Sequence, residues 1–448
     1  MKRYEKYKAI NLPWLSEIPI HWALNRNKVF LKESKDVVGE SSKDYNLLSL
    51  TKSGIIPRDV ASGKGKFPSD FSTYKIICPG DMVFCLFDID ETPRTVGLSS
   101  HHGMLTGAYD VFHVTAISSK YMLYYYLALD DVKAMRPLYK GLRKTINVDT
   151  FLGTKLPVPP RDEQDQIVRY LDWQVSKINR LIAAKRKQIQ LLKERQKTRI
   201  AHIVQCGLDD NAVTRDSGIE YIGIVPSHWL VLQNRRLFHS MNRIFQGTPM
   251  VLSLSQKDGL IPYSEMSERS LHTSSYENWQ LVHENDLVLN RFKAHLGVFF
   301  ASKYEGIVTF HYGVYEPRKP LVAKYYEALY HTSSYCRVYA GQSRGMTVGL
   351  QNLSDTNFYS TYTVYPPYEE QVEIVSEISR IEKQHSQIIA SIVSQIEMLQ
   401  DLRTRLISDV VTGQIDVRGI EVPDYEHYDE APENATEESS DSDYDTEE

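Results

Sequence analysis

The sequence predicts an α+β protein in which two mixed α/β domains alternate with two long helices. One observation is an internal repeat: residues 18–22 (IPIHW) return as 225–229 (VPSHW), and 158–164 (VPPRDEQ) return as 365–371 (YPPYEEQ), both at an offset of 207 residues. Another is that a stretch without Gly or Pro follows each copy of the second motif. So long a period excludes a solenoid repeat and indicates two copies of a whole domain with its connector.

The repeat continues between these anchors, with an offset that drifts between about 201 and 208 residues. The matched pairs include 48–50 with 252–254, 79–83 with 284–288, and Tyr109 with Tyr312. The drift indicates small insertions in loops. Shared apolar positions beside different polar ones are typical of one fold that carries two different binding faces.

Short segments rich in β-branched and aromatic residues predict the strands of each copy. These segments are 45–50, 74–78 and 82–87 in the first copy, and 250–254, 280–283 and 287–289 in the second. Residues 121–129 and 321–330 are predicted as short helices. Each copy is therefore expected to be a mixed α/β domain.

Apolar residues recur at spacings of three and four in the stretches without Gly or Pro, which predicts two long helices. The first series is Leu171, Val175, Ile178, Ile182, Ile189 and Leu192. The second is Ile374, Ile378, Ile381, Ile388, Ile392, Leu399, Leu402, Leu406 and Val410, with His385 and Gln395 as interruptions that we interpret as setting the register. Gly207 and Gly413 are expected to end the helices.

Helices of 40 to 45 residues would be about 60–68 Å long at ~1.5 Å per residue. We predict that the two pair antiparallel as one coiled coil, which gives a pseudo-two-fold molecule. The alternative is that each helix packs only on its own domain. The predicted boundaries are 1–156 and 211–363 for the globular domains, 157–210 and 364–417 for the helical regions, and 418–448 for a disordered acidic tail.

The charge of the chain is unevenly distributed. The formal net charge is −5, but residues 421–448 contain thirteen acidic residues and no Lys or Arg, so the rest carries +8. No apolar run approaches the ~20 residues of a membrane span. With no signal peptide expected and four unpatterned cysteines, the composition predicts a cytoplasmic protein with free thiols and disfavours a metal half-site at Cys78 and Cys85.

Basic residues concentrate in the predicted loops of both copies, where Lys and Arg can neutralise phosphates and contact base edges. The candidate DNA-binding residues are Lys52, Arg58, Lys64, Lys66, Arg94, Lys140, Arg143, Lys144, Lys257, Arg269, Arg291, Lys293 and Arg344. The matched loops that hold Arg143 and Arg344 form the preferred pair.

No motif indicates catalysis, a cofactor site or a metal site. Residues 365–368 (YPPY) resemble an amino-methyltransferase signature, but a Tyr replaces its leading Asp or Asn, and the other copy reads VPPR. Residues 63–65 (GKG) form neither a phosphate loop nor a dinucleotide fingerprint. Asp88, Asp90 and Glu91 lack the rest of a nuclease pattern. We expect a binding protein without an active site.

Residues 216–223 (DSGIEYIG) followed by 225–229 (VPSHW) resemble the opening of a target recognition domain in the specificity (S) subunits of type I restriction-modification systems. Residues 159–164 and 366–371, each leading into a long helix, resemble the conserved helical regions of that family. The resemblance covers about residues 1–417, in order and twice.

The resemblance implies that each target recognition domain binds one half of a bipartite, asymmetric site in double-stranded DNA, and that the helices set the spacer. It implies two methyltransferase (M) subunits, which use S-adenosylmethionine and dock on the helices, and two restriction motor-nuclease (R) subunits, which use ATP and Mg. The S subunit itself would hold no cofactor. Residues chosen to mark the docking helices are Leu171, Ile178, Ile182, Leu192, Ile378, Ile388, Ile392 and Leu399.

Three other interpretations remain open. The chain could be the specificity subunit of a combined restriction-methylation (type IIB-like) enzyme. It could be a duplicated coiled-coil adaptor that binds only proteins. A stand-alone DNA-modifying enzyme is disfavoured because cofactor motifs are missing.

Overall fold

The computed structural model shows two compact units. The described residues are 2–58, 70–139, 144–241, 243, 245, 250–255, 259–266, 276, 278–343 and 352–428. Among them, the first unit comprises residues 2–187 and 392–428, and the second comprises residues 188–391. The boundary crosses both long helices, so each unit contains part of each.

The first unit consists of short strands, two short helices and parts of the two long helices. Its elements are β1 (Tyr7–Leu12), β2 (Leu15–Pro19), β3 (Ala23–Arg26), β4 (Leu31–Ser34), β5 (Leu48–Thr51), β6 (Gly54–Pro57), β7 (Lys75–Ile77), β8 (Met82–Phe84), β9 (Val96–Leu98), β10 (Gly103–Leu105), β11 (Asp110–Val114), α1 (Ser119–Asp131), α2 (Val148–Gly153), β12 (Lys155–Val158) and α3 (Arg161–Cys206).

An antiparallel sheet of order β4-β11-β8-β9 lies at the centre of this unit. All three residues of β8 are buried, because both faces of the sheet are covered. Phe84 packs against Tyr126 of α1 and Phe151 of α2, with ring centroids 4.9 and 4.6 Å away. Val83 points to the other face, where hairpin residues such as Leu48 and Leu105 join its cluster.

The second unit contains the corresponding elements in the same order, with one additional helix. They are β13 (Thr214–Asp216), β14 (Ile224–Pro226), β15 (Leu230–Gln233), β16 (Phe238–Ser240), β17 (Leu252–Ser255), β18 (Gly259–Pro262), β19 (Gln280–Val282), β20 (Leu287–Asn290), β21 (Phe299–Ala301), β22 (Gly306–Val308), β23 (Tyr312–Pro317), α4 (Ala323–Tyr330), α5 (Ser333–Gln342), α6 (Asp355–Ser360), β24 (Tyr362–Tyr365) and α7 (Tyr368–Val411).

The central sheet of the second unit has the order β16-β23-β20-β21, the same succession as in the first. The two-stranded sheets also correspond: β5–β6 matches β17–β18, and β7–β10 matches β19–β22. Helix α5 lies where the first unit has a 3-10 turn at Arg136–Leu138. Every predicted strand segment overlaps a strand, and both predicted short helices overlap α1 and α4, so the mixed α/β prediction is confirmed.

The two repeated motifs meet in the first unit around the carboxylate of Glu163. Trp22 donates its indole N–H to Oε1 over 2.9 Å, and the Tyr4 hydroxyl donates to the same atom over 2.6 Å. His21 Nε2 lies 2.8 Å from Oε2. A buried carboxylate is tolerated only when hydrogen bonds satisfy it, so these donors explain why the two motifs occur together.

The second unit repeats this joint around Glu370. The Trp229 indole donates to Oε2 over 3.0 Å, and His228 Nε2 lies 2.9 Å from the same atom. The glutamate side chain is 23% exposed here, against 5% for Glu163. The repeated tryptophan, histidine and glutamate therefore have a structural role. They lie where residues 365–368 lead into the long helix, which agrees with a structural role for those residues.

The glutamine of each motif joins two helix starts. Gln164 donates to the Pro159 carbonyl and accepts from the backbone N–H of Ser118, the N-cap residue of α1. Gln371 donates to the Pro366 carbonyl and accepts from the N–H of Val322, just before α4. Each long helix is thereby fixed to the helix of its own globular domain.

The glycines that end the long helices also belong to these joints. Gly207 has φ 83° and Gly413 has φ 75°, a left-handed conformation that favours glycine. A Cβ on Gly413 would lie 2.4 Å from Pro19 Cδ. The Gly413 carbonyl accepts from the Tyr7 hydroxyl over 2.9 Å. The first unit is thus closed by a helix end that comes from the far end of the chain.

Helices α3 and α7 contact each other within each unit. In the first, Lys185 hydrogen-bonds Gln395 over 2.5 Å and Arg403 hydrogen-bonds Asn179 over 2.7 Å. Numbers fall along one helix as they rise along the other, so these segments run antiparallel. In the second, Ile203 and Val204 share a buried cluster with the α7 residues Ile374, Ile378 and Ile381.

Two predicted seam positions of α7 are wrong. Ile388 is 46% exposed and Leu402 is 52% exposed. Ile389 is half-buried and Ile396 is buried instead. An α-helix has 3.6 residues per turn, so a strict 3.5-residue repeat drifts onto a neighbouring face over many turns.

The segment after α7 packs on α3. The side-chain amide of Gln166 donates to the carbonyls of Val417 and Ile420. The N–H of Tyr428 donates to Ser176 Oγ over 2.8 Å. Residues 418–428 were predicted as part of a disordered tail because of their charge, but burial of Val417 and these hydrogen bonds hold them on the helix. The remainder, 429–448, lies outside the described residues.

Within the described ranges, none of the helices has the length and apolar character that crossing a membrane requires. Across the same residues, His, Cys, Asp and Glu form no group that could hold a metal ion.

Candidate nucleic-acid interface

Six of the thirteen candidate DNA-binding residues are described: Lys52, Arg58, Arg94, Lys144, Arg291 and Lys293. The other seven lie outside the described residues: Lys64, Lys66, Lys140, Arg143, Lys257, Arg269 and Arg344. The preferred pair, Arg143 and Arg344, is among these seven and stays a prediction.

Lys52 and Arg58 are exposed at opposite ends of one hairpin. Lys52 lies in the turn between β5 and β6, where Thr51 pairs with Gly54. Arg58 follows β6, and its N–H donates to the Leu47 carbonyl. At ~3.3 Å per residue, four-residue strands separate the two backbone positions by roughly 10 Å, so they are not in one cluster.

Arg94 attaches the loop between β8 and β9 to the end of α1. Its Nη1 lies 3.2 Å from Asp130 Oδ2 and 3.1 Å from Asp131 Oδ1, and the side chain is 18% exposed. The Asp130 carboxylate also accepts from the hydroxyl of Thr95 over 2.6 Å. This ion pair gives Arg94 a structural role, and its contact with DNA stays a prediction.

Lys144 neutralises carboxylates of the same loop. Its ammonium pairs with Glu91 and lies 3.3 Å from Asp90 Oδ2, and hydrogen bonds to both raise the pKa of Lys144. The Tyr139 hydroxyl donates to Asp90 Oδ1 over 2.8 Å, and this bond is the main cause that lowers the pKa of Asp90. Two carboxylates of the acidic cluster noted in the sequence, Asp90 and Glu91, are therefore paired with Lys144.

In the second unit Arg291 has a structural role like that of Arg94 in the first. Its Nη1 lies 2.6 Å from Oδ1 of Asp355 at the start of α6, and the Tyr315 hydroxyl donates to the same oxygen over 2.7 Å. The N–H of Leu353 donates to the Arg291 carbonyl over 3.0 Å. These contacts fix the start of the loop between β20 and β21.

Beyond Arg291 this loop is exposed and aromatic. Phe292 is 37% exposed, and its N–H donates to the side chain of Asn290. Its ring centroid lies 6.0 Å from that of His311, which lies 4.0 Å from that of Phe310. Phe310 is 54% exposed, and Lys293 and His311 are also exposed. We call Phe292, Phe310 and His311 the aromatic cluster.

The DNA-binding residues predicted from the sequence do not include the aromatic cluster, because only Lys and Arg residues were chosen. A signal was present: just before the matched tyrosines, the first copy has Gly107 and Ala108 where the second has Phe310 and His311. Such a change from small to aromatic at an aligned loop position favours a difference in binding.

The eight apolar residues chosen from the sequence to mark the helices on which M subunits would dock are mostly buried. Leu171, Ile178, Ile182, Ile378 and Ile392 are buried, Leu192 and Leu399 are half-buried, and Ile388 is exposed. A buried side chain contacts its own chain, so docking of a partner would use other residues of these helices. Exposed apolar residues on α3 and α7 include Leu181, Leu191, Val372, Ile388, Val393, Met398 and Leu402.

Comparison with known proteins points to one family. Residues 108–191 match the model of the type I restriction modification DNA specificity domain. The putative type I restriction enzyme MjaX specificity subunit of Methanocaldococcus jannaschii is 24% identical over 274 residues, which cover 55% of this chain. The matched region spans 59% of that curated relative.

A solved structure shows a similar fold. A chain from a type I R-M system, whose structure concerns complex assembly and conformational transition, superposes with a TM-score of 0.53 at 13% identity, covering 89% of this chain and 99% of that one. The HsdS subunit from Thermoanaerobacter tengcongensis gives a TM-score of 0.47 at 13% identity, with coverages of 89% and 98%.

Proposed function

We propose that this chain is a specificity subunit of a type I restriction-modification system, the kind of protein that it resembles, and that it selects the DNA sequence on which such a complex acts. In this proposal each globular domain is a target recognition domain that binds one half of a bipartite, asymmetric site. The chain contributes specificity and assembly, and catalysis belongs to other subunits in the cytoplasm.

The observation that carries the proposal is the recurrence of one architecture. The two central sheets share their strand order, and each unit joins a tryptophan, a histidine and a glutamate at the start of a long helix. Two similar binding units suit a ligand with two halves. This supports a pseudo-two-fold internal repeat in which residues 1–156 and 211–363 bind the half-sites.

The long helices are proposed to set the spacer between half-sites. Their antiparallel contacts in the first unit support a coiled coil, and their exposed apolar residues offer a surface for two M subunits. S-adenosylmethionine would then be held by the M subunits, and ATP and Mg by two R subunits.

The DNA contacts are proposed for the loops that carry the basic residues. Lys52 and Lys293 are exposed on loops of the two domains, which supports phosphate contact by each. Phosphate contacts position a protein, whereas groups that contact base edges specify the sequence. The half-site sequences therefore depend on further residues of these loops.

The test is methylation of a genome. The chain would be co-expressed with a type I methyltransferase (M) subunit from the same genome, in a host whose adenine methylation is mapped before and after. We expect a new two-part methylated motif that requires both proteins, with the methyltransferase alone as the control. A methylome that is unchanged by the chain, although the two proteins copurify, would contradict the proposal.

A further inference from the structure

The two domains differ at one matched position next to the central sheet. Strand β7 pairs with β10 so that Lys75 faces Leu105, and β19 pairs with β22 so that Gln280 faces Val308. Counting two residues beyond each strand aligns Gly107 with Phe310. The next residues, Ala108 and His311, precede the matched tyrosines.

The first domain has no room for a side chain at this position. A Cβ built on Gly107 would lie 2.5 Å from the backbone oxygen of Thr73. Contacts below 3.0 Å require the backbone to move, because the obstacle is a carbonyl. The backbone of the first domain therefore requires glycine at position 107.

The second domain instead exposes a large ring at the aligned position. The Phe310 carbonyl accepts from the side-chain amide of Gln280 over 3.3 Å, and its ring lies against His311 with more than half of the side chain exposed. Phe292 of the neighbouring loop is exposed beside it. Adjacent exposed aromatic rings are unfavourable in water and mark binding surfaces.

The charge around the aromatic cluster identifies the class of ligand. Residues 290–297 and 309–312 contain Arg291 and Lys293, the two histidines His295 and His311, and no Asp or Glu. Arg291 is paired with Asp355, so the exposed cation beside the rings is Lys293. A surface with exposed rings and an exposed lysine suits a polyanion with flat bases. Apolar side chains such as Phe contact bases within DNA grooves and can insert between base steps.

We propose that Phe310, supported by Phe292 and His311, contacts bases of the half-site bound by the second domain. The inference rests on the proposed function and deepens it. The first domain makes no equivalent contact, because Gly107 stands at the aligned position. The two halves of the site are therefore recognised differently at this position: the second domain supplies an apolar base contact there, and the first does not.

The experiment uses the full chain with its methyltransferase and a duplex that contains the methylated motif. Phe310→Gly copies the first domain, Phe310→Tyr keeps the ring, and Ile224→Ala removes an exposed apolar residue elsewhere in the second unit. Dissociation constants would be measured at several salt concentrations, for the intact motif and for duplexes with each base pair changed in turn.

We expect Phe310→Gly to weaken binding by about tenfold, as loss of base–aromatic contact does. Phe310→Tyr and Ile224→Ala should stay within about twofold of the wild type. Discrimination should fall only in the second half-site. The salt dependence should not change, because no phosphate contact is lost.

Equal binding by Phe310→Gly and the wild type would overturn the inference while leaving the proposed function intact. Loss of discrimination in both half-sites, or a shallower salt dependence, would also overturn it. If the wild-type complex shows no sequence preference at all, the proposed function fails, and the inference fails with it. Melting temperatures of the variants verify that each is folded.

Discussion

The loop between β8 and β9 and the loop between β20 and β21 leave the same edge of equivalent sheets, yet their charges are opposite. Residues 85–95 contain Asp88, Asp90, Glu91 and Arg94, a formal charge of −2. Residues 291–298 contain Arg291 and Lys293, a charge of +2. In the first loop Arg94 is paired with α1, and Asp90 and Glu91 are paired with Lys144, whereas in the second Phe292 and Lys293 face solvent.

This difference shows which parts of the repeated domain are constrained. Buried residues such as Val83 and Val288 occupy matched places, because each must fill the same space between a sheet and its hairpins. Loop residues have no such requirement and can change charge without loss of the fold. The four predictions below test where this boundary between shared scaffold and distinct surface lies.

The largest effect is expected at the shared joint. Glu163→Ala leaves the donors of Tyr4 and Trp22 buried without an acceptor, which should cost about 2–4 kcal/mol. Glu370→Ala should cost about 1–2 kcal/mol, since that joint is more exposed. Urea unfolding would measure both, with Glu17→Ala at an exposed pair as the control. Equal losses for both glutamates would contradict this ranking.

Substitution of the glycines that end the long helices should also destabilise the two units to different extents. Gly413→Ala combines a left-handed backbone with a Cβ 2.4 Å from Pro19, whereas Gly207→Ala meets its first neighbour, a flexible Glu370 oxygen, at 3.0 Å. We expect a loss of about 2–3 kcal/mol for Gly413→Ala and about 1–2 kcal/mol for Gly207→Ala. A larger loss for Gly207→Ala in thermal unfolding would refute the assigned crowding.

A smaller effect is expected for the charged loop of the second domain. Lys293→Ala should reduce DNA affinity severalfold for every sequence alike and make the slope of log K against log salt shallower by about one. Lys319→Ala is the control, because that exposed lysine lies over the ring of Tyr365. Sequence-dependent loss with an unchanged slope would assign Lys293 to base recognition instead.

The smallest effect concerns pH. Burial lowers the pKa of His331 below its ordinary value of 6.5, and the nearby Glu327 and Lys324 act in opposite directions. The unfolded chain therefore binds a proton before the folded one does, so stability should fall as pH decreases through about 6.5. His331→Gln should flatten this dependence in urea unfolding between pH 7.5 and 5. Parallel curves for the two proteins would exclude His331 as the cause.

Much of the architecture follows from the sequence, because its signals are local. The absence of Gly and Pro after residues 160 and 367 predicted α3 and α7 with their ends at Gly207 and Gly413. The seam of α7 was only partly predictable. A strict heptad repeat predicted that Ile388 is buried, but it is exposed. An α-helix has 3.6 residues per turn, so the buried face drifts away from the heptad positions, and packing decides which residues it contains.

The sequence by itself determined the duplication, the order of elements and the length of the helices, since periodicity and motif spacing depend on the chain alone. The tertiary structure decided which residues meet. It joined Trp22 to Glu163 across 141 residues, paired Arg94 with α1, and left Phe310 exposed. Burial of a side chain and its hydrogen-bond or ion-pair partners depend on residues that are distant in sequence. Local patterns can therefore name candidate residues, but they cannot distinguish an arginine with a structural role from one that binds DNA.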